Sequence, residues 1–456
     1  MLPETRQVRA ATAIARRLQR AGHAALLAGG CVRDLLLGAA PKDYDVATAA
    51  DPDRVMEIFP HSYGVGAHFG VVLVAEEIEG ERVVTEVATF RSDGSYSDGR
   101  RPDAVRYTAS AAEDAARRDF TINGLFLDVE RAAKERTLRA AVVDTVGGLA
   151  DLDSGLLRAI GDPAQRFAED HLRLLRGVRF AARLGFAMDA ATRAAMCAMA
   201  QTLERVSRER VRDELTRMLA EGAARRAFEQ LDETGMLAVV LPEVAALRGV
   251  EQPAEFHPEG DAWEHTLRLL EQLEAGVSAT LAWGALLHDA GKPATFRRTP
   301  DRIRFDGHVE VGVRVAEEIT SRLRFSREDA AQIAALVANH MRFSDVERMK
   351  ESTLKRFFRL ERFKEHLALH RMDCLAAHGK LGHWQYARQR WESMPQEAVR
   401  PRPLITGDDL IAAGFVPGPQ FRVVLQAVED AQMEGAVATR EAALEMALRQ
   451  MSESHD

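Results

Sequence analysis

The chain carries two kinds of hydrophobic pattern, and the change between them falls near residue 150. Before that point, the apolar segments 24–29, 69–75 and Arg82–Phe90 are short and separated by glycines or polar turns, which is typical of buried strands. Segments 3–21 and 51–59 instead place apolar residues three and four positions apart, the spacing of amphipathic helices. Beyond residue 150 nearly every segment has this helical spacing. The pattern predicts an α/β head followed by an all-α body.

The body should consist of long helices separated by short joints. The segments with helical periodicity are 166–185, 189–220, 224–236, 261–275, 309–324, 328–342 and 353–377. Prolines and glycines concentrate at 242–260, 291–300 and 401–419, where we expect the chain to leave one bundle of helices and enter the next.

Composition narrows the class of protein. Hydrophobic residues make up 46% of the 456 positions and charged residues 29%, which excludes a largely disordered chain. No apolar run approaches the roughly 18 residues that a membrane-spanning helix needs. The three cysteines, Cys31, Cys197 and Cys374, are too few for a disulfide framework, so we expect a cytoplasmic protein. The arginine-rich start has helical spacing, which favours an ordinary first helix over a targeting peptide.

The net charge of −8 excludes a globally basic nucleic-acid binder. Residues 341–400 nevertheless carry a local excess of Lys and Arg, and such a stretch would suit either a phosphate-binding surface or a solvated helix face.

Two short motifs in the head would hold a phosphate chain and a divalent cation. Gly29 and Gly30 lie between a strand and a helix carrying Arg33, and bare glycines there let backbone N–H groups approach an anion. Asp43 and Asp45 follow at i and i+2. On a strand their carboxylates would share one face and repel each other unless a cation lay between them. Oxygen-only ligands suit Mg²⁺, and a phosphate cradle beside it is what two-metal nucleotidyl transfer requires.

Together with other segments in the same order, these motifs resemble the class II tRNA nucleotidyltransferases. These are CCA-adding enzymes of the polymerase β superfamily, related to bacterial poly(A) polymerases. The resemblance is carried by GGCVRD at 29–34, DYDVAT at 43–48, EVATFR at 86–91, RRDFTIN at 117–123, EDHLRLLRGVRFAARLGF at 169–186 and GDDLIAAGFVPGPQF at 407–421. It covers almost the whole chain and implies a polymerase β-like head with a mixed sheet and flanking helices.

The resemblance assigns the glycine turn with Arg33 to the nucleotide triphosphate and the aspartate pair to catalytic magnesium ions. It implies attack of an RNA 3′-hydroxyl on the α-phosphorus. Arg117, Arg118 and Asp119 match a segment that recognises ribose, where an aspartate accepting from the 2′-hydroxyl selects ribonucleotides. Asp119 would also suit the cap of a helix. Glu86 would supply a third carboxylate to the metal cluster, or else lie on the surface of a strand.

Base selection is expected from a single helix face. Asp170 and Arg173 lie three apart, so on a helix they project together. An aspartate accepts from the exocyclic amine of cytosine or adenine, and an arginine donates to their ring acceptors, so the pair would fit C and A and reject G and U. A surface ion pair is the alternative, which the accompanying motifs disfavour. Arg176 and Arg179 continue the row and would contact base or phosphate.

The segment Arg91–Pro102 is rich in glycine and has no apolar periodicity, which predicts a mobile loop. In the family that the chain resembles, enzymes that add only CC have a shortened or altered loop here. The loop of this chain looks intact, which favours addition of the terminal A.

The body contains a second set of metal-ligating residues. An apolar helix ends in an adjacent His-Asp pair, with further His and Asp residues on either side, and imidazole with carboxylate suits a divalent transition metal. The set comprises His265, His288, Asp289, His308, His340 and Asp373. Any one of these would suit a structural role in a core, but the ordered set resembles an HD-type phosphohydrolase domain.

We therefore expect template-independent addition or repair of CCA at the 3′ end of tRNA from CTP and ATP, with no membrane and no obligate protein partner. Mg²⁺ would act in the head, and Mn²⁺, Ni²⁺, Co²⁺ or Fe²⁺ would support phosphate-ester hydrolysis in the HD domain. The expected domains are a nucleotidyltransferase head at 1–150, a helical neck at 151–245, the HD domain at 246–378 and a helical tail at 379–456. The alternatives are an enzyme that adds only A, a poly(A) polymerase, and an HD phosphohydrolase whose head merely binds RNA.

Overall fold

The computed structural model describes residues 2–65, 70–94, 105–253, 255, 257–258 and 260–453. The chain divides into two compact units, Met1–Pro242 and Glu243–Asp456. Among the described residues, no helix combines the length and the hydropathy that crossing a membrane requires.

The first unit is built around a mixed seven-stranded sheet. Its strands are β1 Ala25–Ala28, β2 Asp45–Thr48, β3 Ser62–Gly64, β4 Val71–Ile78, β5 Glu81–Thr89, β8 Phe126–Leu127 and β9 Val142–Val143. Their order across the sheet is β3-β4-β5-β2-β1-β8-β9. Only β2 and β5 run parallel, and the other neighbours are antiparallel. Two further strand pairs lie outside this sheet, namely β6 Arg91–Asp93 with β7 Val105–Tyr107, and β10 Leu156–Leu157 with β11 Ala187–Met188.

Helices flank this sheet, and further helices make up most of the rest of the first unit. They are α1 Arg6–Arg20, α2 Gly30–Leu36, α3 Pro52–Ile58, α4 Ala111–Ala116, α5 Val129–Ala132, α6 Gly148–Asp153, α7 Pro163–Glu169, α8 Leu172–Leu184, α9 Ala190–Met199, α10 Arg208–Ala220, α11 Ala224–Glu233 and α12 Met236–Val240. The predicted first helix is α1, which Thr5 caps by accepting from the Val8 amide. Its buried face, which includes Ile14 and Leu18, packs on the sheet.

The second unit is helical apart from one short hairpin. Its helices are α13 Pro242–Ala245, which begins at the last residue of the first unit, and α14 Ala262–Glu271, α15 Ala279–Leu287, α16 Lys292–Thr295, α17 His308–Arg322, α18 Arg327–Asn339, α19 Glu351–Phe358, α20 Phe363–Ala376, α21 Gly382–Ser393, α22 Gln396–Val399, α23 Gly407–Ala412, α24 Pro419–Met433 and α25 Arg440–Glu453. The hairpin pairs β12 Arg297–Arg298 with β13 Ile303–Arg304. One apolar core lies around Phe343, Phe357 and Phe363, and a separate one lies among α23, α24 and α25.

Three of the predicted long helices are interrupted. The segment 166–185 contains α7 and α8, because Asp170 between them has an extended backbone. The segment 189–220 contains α9, a 3₁₀ helix at Ala200–Arg205 and α10. The segment 353–377 is broken before α20 at Arg362, whose backbone is left-handed with a φ of 47°.

Candidate active site

Carboxylates gather where β2 and β5 run side by side. Asp45 is the first residue of β2, and because Val46 pairs with Val87 in the parallel ladder, Asp45 lies next to Glu86. Asp43 is exposed and precedes the strand, so the expectation that both aspartates lie on it was wrong for Asp43.

The raised pKa values of Asp45 and Glu86 indicate that the carboxylates of Asp43, Asp45 and Glu86 repel one another. Burial, followed by the charge of Glu86 and a smaller effect of Asp43, raises the pKa of Asp45 to about 6. Burial and the charge of Asp43 also raise the pKa of Glu86. A divalent cation beside these carboxylates would relieve both their mutual repulsion and the cost of burying Asp45.

The glycine turn brings an arginine close to these carboxylates. Gly29 follows β1 with a φ of +70°, a conformation that favours glycine, and a Cβ there would lie 2.7 Å from Nη1 of Arg118. In the β1–β2 ladder Ala28 pairs with Asp45, so the turn starts beside the first residue of β2. Gly30 is the first residue of α2, whereas the prediction placed both glycines before the helix.

Arg33 on α2 is 2% exposed and firmly held. Its guanidinium donates to Asp34 at 2.8 Å and to the side-chain oxygen of Asn123 at 2.5 Å. It also lies over the ring of Phe180, 5.1 Å from the centroid. Neither Asp34 nor Asn123 was singled out from the sequence, although each lies inside a motif that was.

Arg117 and Arg118 are oriented by one buried carboxylate, that of Asp114 on α4. Arg117 donates to its Oδ1 at 2.5 and 2.9 Å, and Arg118 donates to its Oδ2 at 2.9 and 3.1 Å. Although burial opposes it, the two guanidinium charges hold the pKa of Asp114 below its ordinary value. Sequence reasoning missed Asp114, whose spacing of three and four residues from the arginines on a helical segment was the available signal.

Asp119 is also buried and fully engaged. One oxygen accepts from the Phe120 amide and the Asn123 side chain, and the other accepts from Arg176 at 2.6 and 2.9 Å. Burial opposes ionisation here too, but the Arg176 charge and the Asn123 hydrogen bond hold the pKa of Asp119 well below its usual range.

Asp170 and Arg173 do not share a helix face, contrary to the prediction. Asp170 ends α7, whereas Arg173 lies in the first turn of α8. Asp170 accepts both arms of the Arg210 guanidinium, at 3.1 and 2.8 Å. Arg173 donates to Glu169 at 2.5 Å and to the backbone oxygens of Arg166 and Arg117. The two side chains therefore have separate partners, and both partners were missed.

Arg179 lies deeper than the other arginines of α8. Its guanidinium donates to Glu214 on α10 at 2.6 Å, and both side chains are about 5% exposed. A second bond reaches Glu221 at 3.4 Å.

Most of the predicted residues line one cavity of about 500 Å³ in the first unit. Those in its wall are Gly29, Gly30, Arg33, Asp45, Glu86, Arg117, Arg118, Asp119, Asp170, Arg173 and Arg176. Arg210 lines it as well. Asp43 and Arg179 are not among its wall residues. The predicted loop at Arg91–Pro102 falls largely on residues 95–104, outside the described part of the chain.

The second unit brings all six predicted His and Asp residues together in two groups of potential metal ligands. The first group is His265, His288 and Asp373, and the second is Asp289, His308 and His340. In the first group, Nε2 of His265 lies 3.0 Å from Asp373 and 3.2 Å from Nε2 of His288.

Asp289 connects the two groups with its two oxygens. Its Oδ2 lies 3.1 Å from Nε2 of His288, and its Oδ1 lies 3.9 and 4.0 Å from Nε2 of His340 and His308. Burial opposes ionisation of Asp289, but His288 and the Lys292 ammonium at 2.7 Å hold its pKa well below the ordinary value.

Two histidines of the second group have a buried ring nitrogen without a hydrogen-bond partner. In His308 and His340, Nδ1 contacts a backbone oxygen and Nε2 remains unsatisfied. Burial lowers the pKa of His340 to about 4, so its imidazole stays neutral near pH 7. An unsatisfied Nε2 on a neutral imidazole beside a carboxylate is the donor set that a divalent transition metal takes.

The ligands of the second group lie in the wall of a largely apolar cavity of about 680 Å³. Phe305 and Met341 contribute apolar surface, and His378, Lys380 and His383 contribute basic groups. The cavity is large enough for a small organic phosphate beside the ligand groups.

Three family models match successive parts of the chain. A poly(A) polymerase head domain matches residues 25–158, a "Probable RNA and SrmB-binding site of polymerase A" matches 185–247, and an HD domain matches 262–377.

Individual proteins are similar over nearly the full length. A CC-adding tRNA nucleotidyltransferase of Thermus thermophilus is 35% identical over 431 residues, 91% of each chain. A CCA-adding enzyme of Levilactobacillus brevis is 31% identical over 434 residues, 94% of each. The crystal structure of Bacillus stearothermophilus CCA-adding enzyme in complex with CTP superimposes with a TM-score of 0.75 at 26% identity, covering 99% of both chains. These matches confirm the predicted fold class, an α/β head followed by a helical body that includes an HD domain.

Proposed function

The chain belongs to the tRNA nucleotidyltransferase family, and on that premise we propose that it adds C and A to the 3′ end of tRNA from CTP and ATP without a nucleic-acid template. The observation that carries this proposal is the cavity of the first unit, where carboxylates that fit a divalent cation lie beside arginines that fit a triphosphate. Full-length relatives named CC-adding and CCA-adding enzymes support it and disfavour the A-only and poly(A) alternatives.

Asp43, Asp45 and Glu86 would hold magnesium ions at the edge of β2 and β5. Such ions, when bound, neutralise charge on the phosphates and lower the pKa of an attacking hydroxyl. Arg117 and Arg118 present planar guanidinium groups to the triphosphate, already oriented by a protein carboxylate, which reduces the ordering that binding requires.

Base selection would fall to Asp170 and Arg173 in the same cavity wall. Asp170 would accept from the exocyclic amine of C or A, and Arg173 would donate to the ring acceptor. U and G present a carbonyl where Asp170 needs a donor, so the pair disfavours them. Asp119 would keep Arg176 oriented in the cavity wall, because its acceptor positions are taken by Arg176, Asn123 and the Phe120 amide.

Mutation of the carboxylates tests the transfer site. We expect Asp43→Ala and Asp45→Ala to abolish nucleotide addition, because each removes charge stabilisation worth several kcal/mol in the transition state. Glu77→Ala, an exposed residue of β4, is the matched control. Addition within about tenfold of the wild type in both aspartate variants would refute the metal assignment.

A second candidate is addition of CC without the terminal A, since the Thermus thermophilus relative is a CC-adding enzyme. The prediction from the loop at Arg91–Pro102 favours the full CCA. Purified protein would be incubated with tRNA that lacks CCA, CA or A and with labelled CTP or ATP, and the products sized on a gel. Extension of the tRNA that ends in CC by ATP supports the full reaction, and its absence together with efficient addition of two C residues supports the CC-only enzyme.

We also propose that the HD domain hydrolyses phosphate esters such as 2′,3′-cyclic or 2′-phosphates at RNA ends. The proposal is supported by the two ligand groups joined by Asp289. Imidazole ligands favour Mn²⁺, Ni²⁺, Co²⁺ or Fe²⁺ over Mg²⁺. In this scheme Lys292 holds Asp289 in place, and the cavity wall receives the organic part of the ester.

The two activities should separate by mutation. His288→Ala or Asp289→Ala would remove hydrolysis of 2′,3′-cAMP, 2′-AMP and p-nitrophenyl phosphate and spare nucleotide addition, whereas Asp45→Ala would do the reverse. No hydrolysis by the wild type above the Asp289→Ala background with any of the four metals would refute the second activity. We further propose a cytoplasmic location and the four-domain division at residues 150, 245 and 378.

A further inference from the structure

Three basic side chains, those of His378, Lys380 and His383, lie in the wall of the HD cavity together with ligands of the second metal group. They belong to the connection between α20 and α21 and to the start of α21, and all three are exposed. None of them is among the potential metal ligands, so hydrolysis of an ester phosphate at those ligands does not require them. A second anionic group on the substrate would give these side chains a partner.

The connection is anchored to the helix that carries the ligand Asp373. The amide of Ala377 donates to the backbone oxygen of Asp373 at 3.1 Å, and the amide of Gly379 donates to that of Cys374 at 2.7 Å. Gly379 has a φ of +71°, a conformation that favours glycine. The basic side chains are therefore held in a fixed place relative to Asp373.

The donors of the connection suit a phosphate. The Lys380 amide donates to Nδ1 of His378 at 3.0 Å. A neutral imidazole that accepts at Nδ1 carries its proton on Nε2, so His378 offers an N–H donor beside the Lys380 ammonium. In the part of the chain that the structure describes, Glu347 is the one carboxylate of this wall outside the ligand groups.

An apolar part of the same wall suits a nucleobase. The ammonium of Lys292 lies 5.4 Å from the ring centroid of Phe305, and Met341 is 49% exposed. A base can stack on an aromatic ring or a thioether whatever its identity. The wall therefore offers separate places for a base and for a phosphate other than the one at the ligand groups.

A surface suited to single-stranded RNA follows His383 in the sequence. The guanidinium groups of Arg371 and Arg388 lie over the ring of Trp384, 5.9 and 5.3 Å from its centroid. Both arginines are exposed, and Arg388 is held by Glu392, to which it donates at 2.8 Å. Cationic groups combined with an aromatic ring are typical of sites that bind single strands. This surface lies within the basic stretch at 341–400.

We infer that the HD site acts on the 3′ end of an RNA strand and distinguishes it from a free mononucleotide. The terminal ester phosphate lies against the ligand groups and its base on Phe305. The preceding phosphate binds His378 and Lys380, and the nucleotide before it lies on the surface of Trp384 and Arg388. The inference rests on the proposed hydrolysis of phosphate esters. In that step water forms a new bond to phosphorus, the bond from phosphorus to one ribose oxygen breaks, and that oxygen takes a proton of the water.

The test compares kcat/KM for three substrates with each of the four metals. They are an RNA oligonucleotide that ends in a 2′,3′-cyclic phosphate, 2′,3′-cAMP, and 2′,3′-cAMP with an added 5′-phosphate. We expect the oligonucleotide to exceed 2′,3′-cAMP by about tenfold or more, the order of one hydrogen bond to a charged group.

Two substitutions separate the contributions of the extra phosphate and of the strand. Lys380→Ala should lower kcat/KM about tenfold for the oligonucleotide and the 5′-phosphorylated compound and leave 2′,3′-cAMP unchanged. Arg388→Ala should lower it for the oligonucleotide alone. Lys350→Ala, an exposed residue of the same basic stretch outside the cavity wall, is the matched control.

Hydrogen exchange gives a measurement that does not depend on hydrolysis. In a chelator the oligonucleotide should protect peptides that cover residues 377–393, and the combination of Lys380→Ala with Arg388→Ala should remove this protection. Absence of protection in the wild type would overturn the inference.

The outcomes distinguish this inference from the proposed function. Hydrolysis of none of the three substrates would refute the proposed HD activity. Equal kcat/KM for the oligonucleotide and 2′,3′-cAMP, or equal losses on both in Lys380→Ala, would overturn the inference alone. An oligonucleotide no better than the 5′-phosphorylated compound would also overturn it, because a single nucleotide with two phosphates would then be sufficient.

Discussion

Replacing Asp45 by asparagine should stabilise the first unit while it abolishes nucleotide addition. In the absence of a cation, Asp45 is half-buried beside Glu86 and near Asp43. Its partial burial is the largest cause of its raised pKa, and the charge of Glu86 is the second. Asparagine has nearly the same shape and no charge, so it removes the repulsion without leaving a hole. The negative charge of Asp45 thus favours binding of a cation but lowers the stability of the first unit.

The magnitude follows from the rise in pKa from 3.8 to about 6. That difference corresponds to about 3 kcal/mol by which folding disfavours the ionised form. Since the folded state takes up its proton near pH 6 and the unfolded state only near 3.8, the cost is complete above about pH 6. It is relieved as the pH falls towards 3.8. We therefore expect Asp45→Asn to gain up to about 3 kcal/mol at pH 8 and almost nothing at pH 4.

The chain has two units, which need not unfold in one transition, so the gain in stability is best measured in the first unit alone. Hydrogen exchange of peptides that cover β2 and β5 would provide this measurement. The protein would be measured in a chelator and again with Mg²⁺. The ion should raise the protection of the wild type and leave Asp45→Asn unchanged, because it binds the folded site only when the carboxylate is present.

Glu77→Gln, an exposed change on β4, is the control and should have no effect at either pH. Equal or lower protection of Asp45→Asn at about pH 8 in the chelator would refute the reasoning, since it would show that Asp45 carries no unfavourable charge in the folded state.

Three other substitutions test the framework of the two sites. Gly291→Ala should destabilise the second unit and abolish the proposed phosphate-ester hydrolysis, because its Cβ would clash with the His308 backbone oxygen, and calorimetry should detect the loss of stability. Glu214→Gln should cost the first unit about 3 kcal/mol in urea unfolding, because the buried Arg179 would keep only its longer bond to Glu221 as an ion pair, and an unchanged midpoint would contradict this. Asp114→Asn should raise the KM for nucleotides about tenfold or more by releasing the arginine pair, and an unchanged KM would show that the pair needs no support.

The sheet and the flanking helices of the head were predictable because the hydrophobic residues on their buried faces recur at the spacing typical of a strand or of a helix. The runs at 24–29 and Arg82–Phe90 became β1 and β5, and the segments 3–21 and 51–59 became α1 and α3, within a few residues at the ends. Local signals suffice where the hydrophobic period and the burial agree.

The breaks in the long helices were not predictable in the same way. Apolar residues at helical spacing continue across Asp170, from the buried Phe167 of α7 into the buried face of α8, so the period gives no warning of the interruption. Asp170, which has the extended backbone, accepts hydrogen bonds from Arg210, a residue 40 positions away in the sequence. Contacts at that distance leave no trace in a local pattern, which is why the predicted shared face of Asp170 and Arg173 failed.

The ion pairs of the cavity arginines explain which site residues could be predicted from the sequence and which could not. The motifs gave Arg117, Arg118 and Arg173 of the cavity wall but not the carboxylates that orient these three. Asp114 holds Arg117 and Arg118, and Glu169 holds Arg173, although neither carboxylate lies in the cavity wall. A guanidinium already bonded on one side keeps its plane and offers its remaining donors to a phosphate or base, so less order is lost when the ligand binds. The proposed site therefore extends one layer beyond the residues proposed to touch the substrate, and substitution in that layer should change affinity and base preference while the carboxylates proposed to bind the metal remain in place.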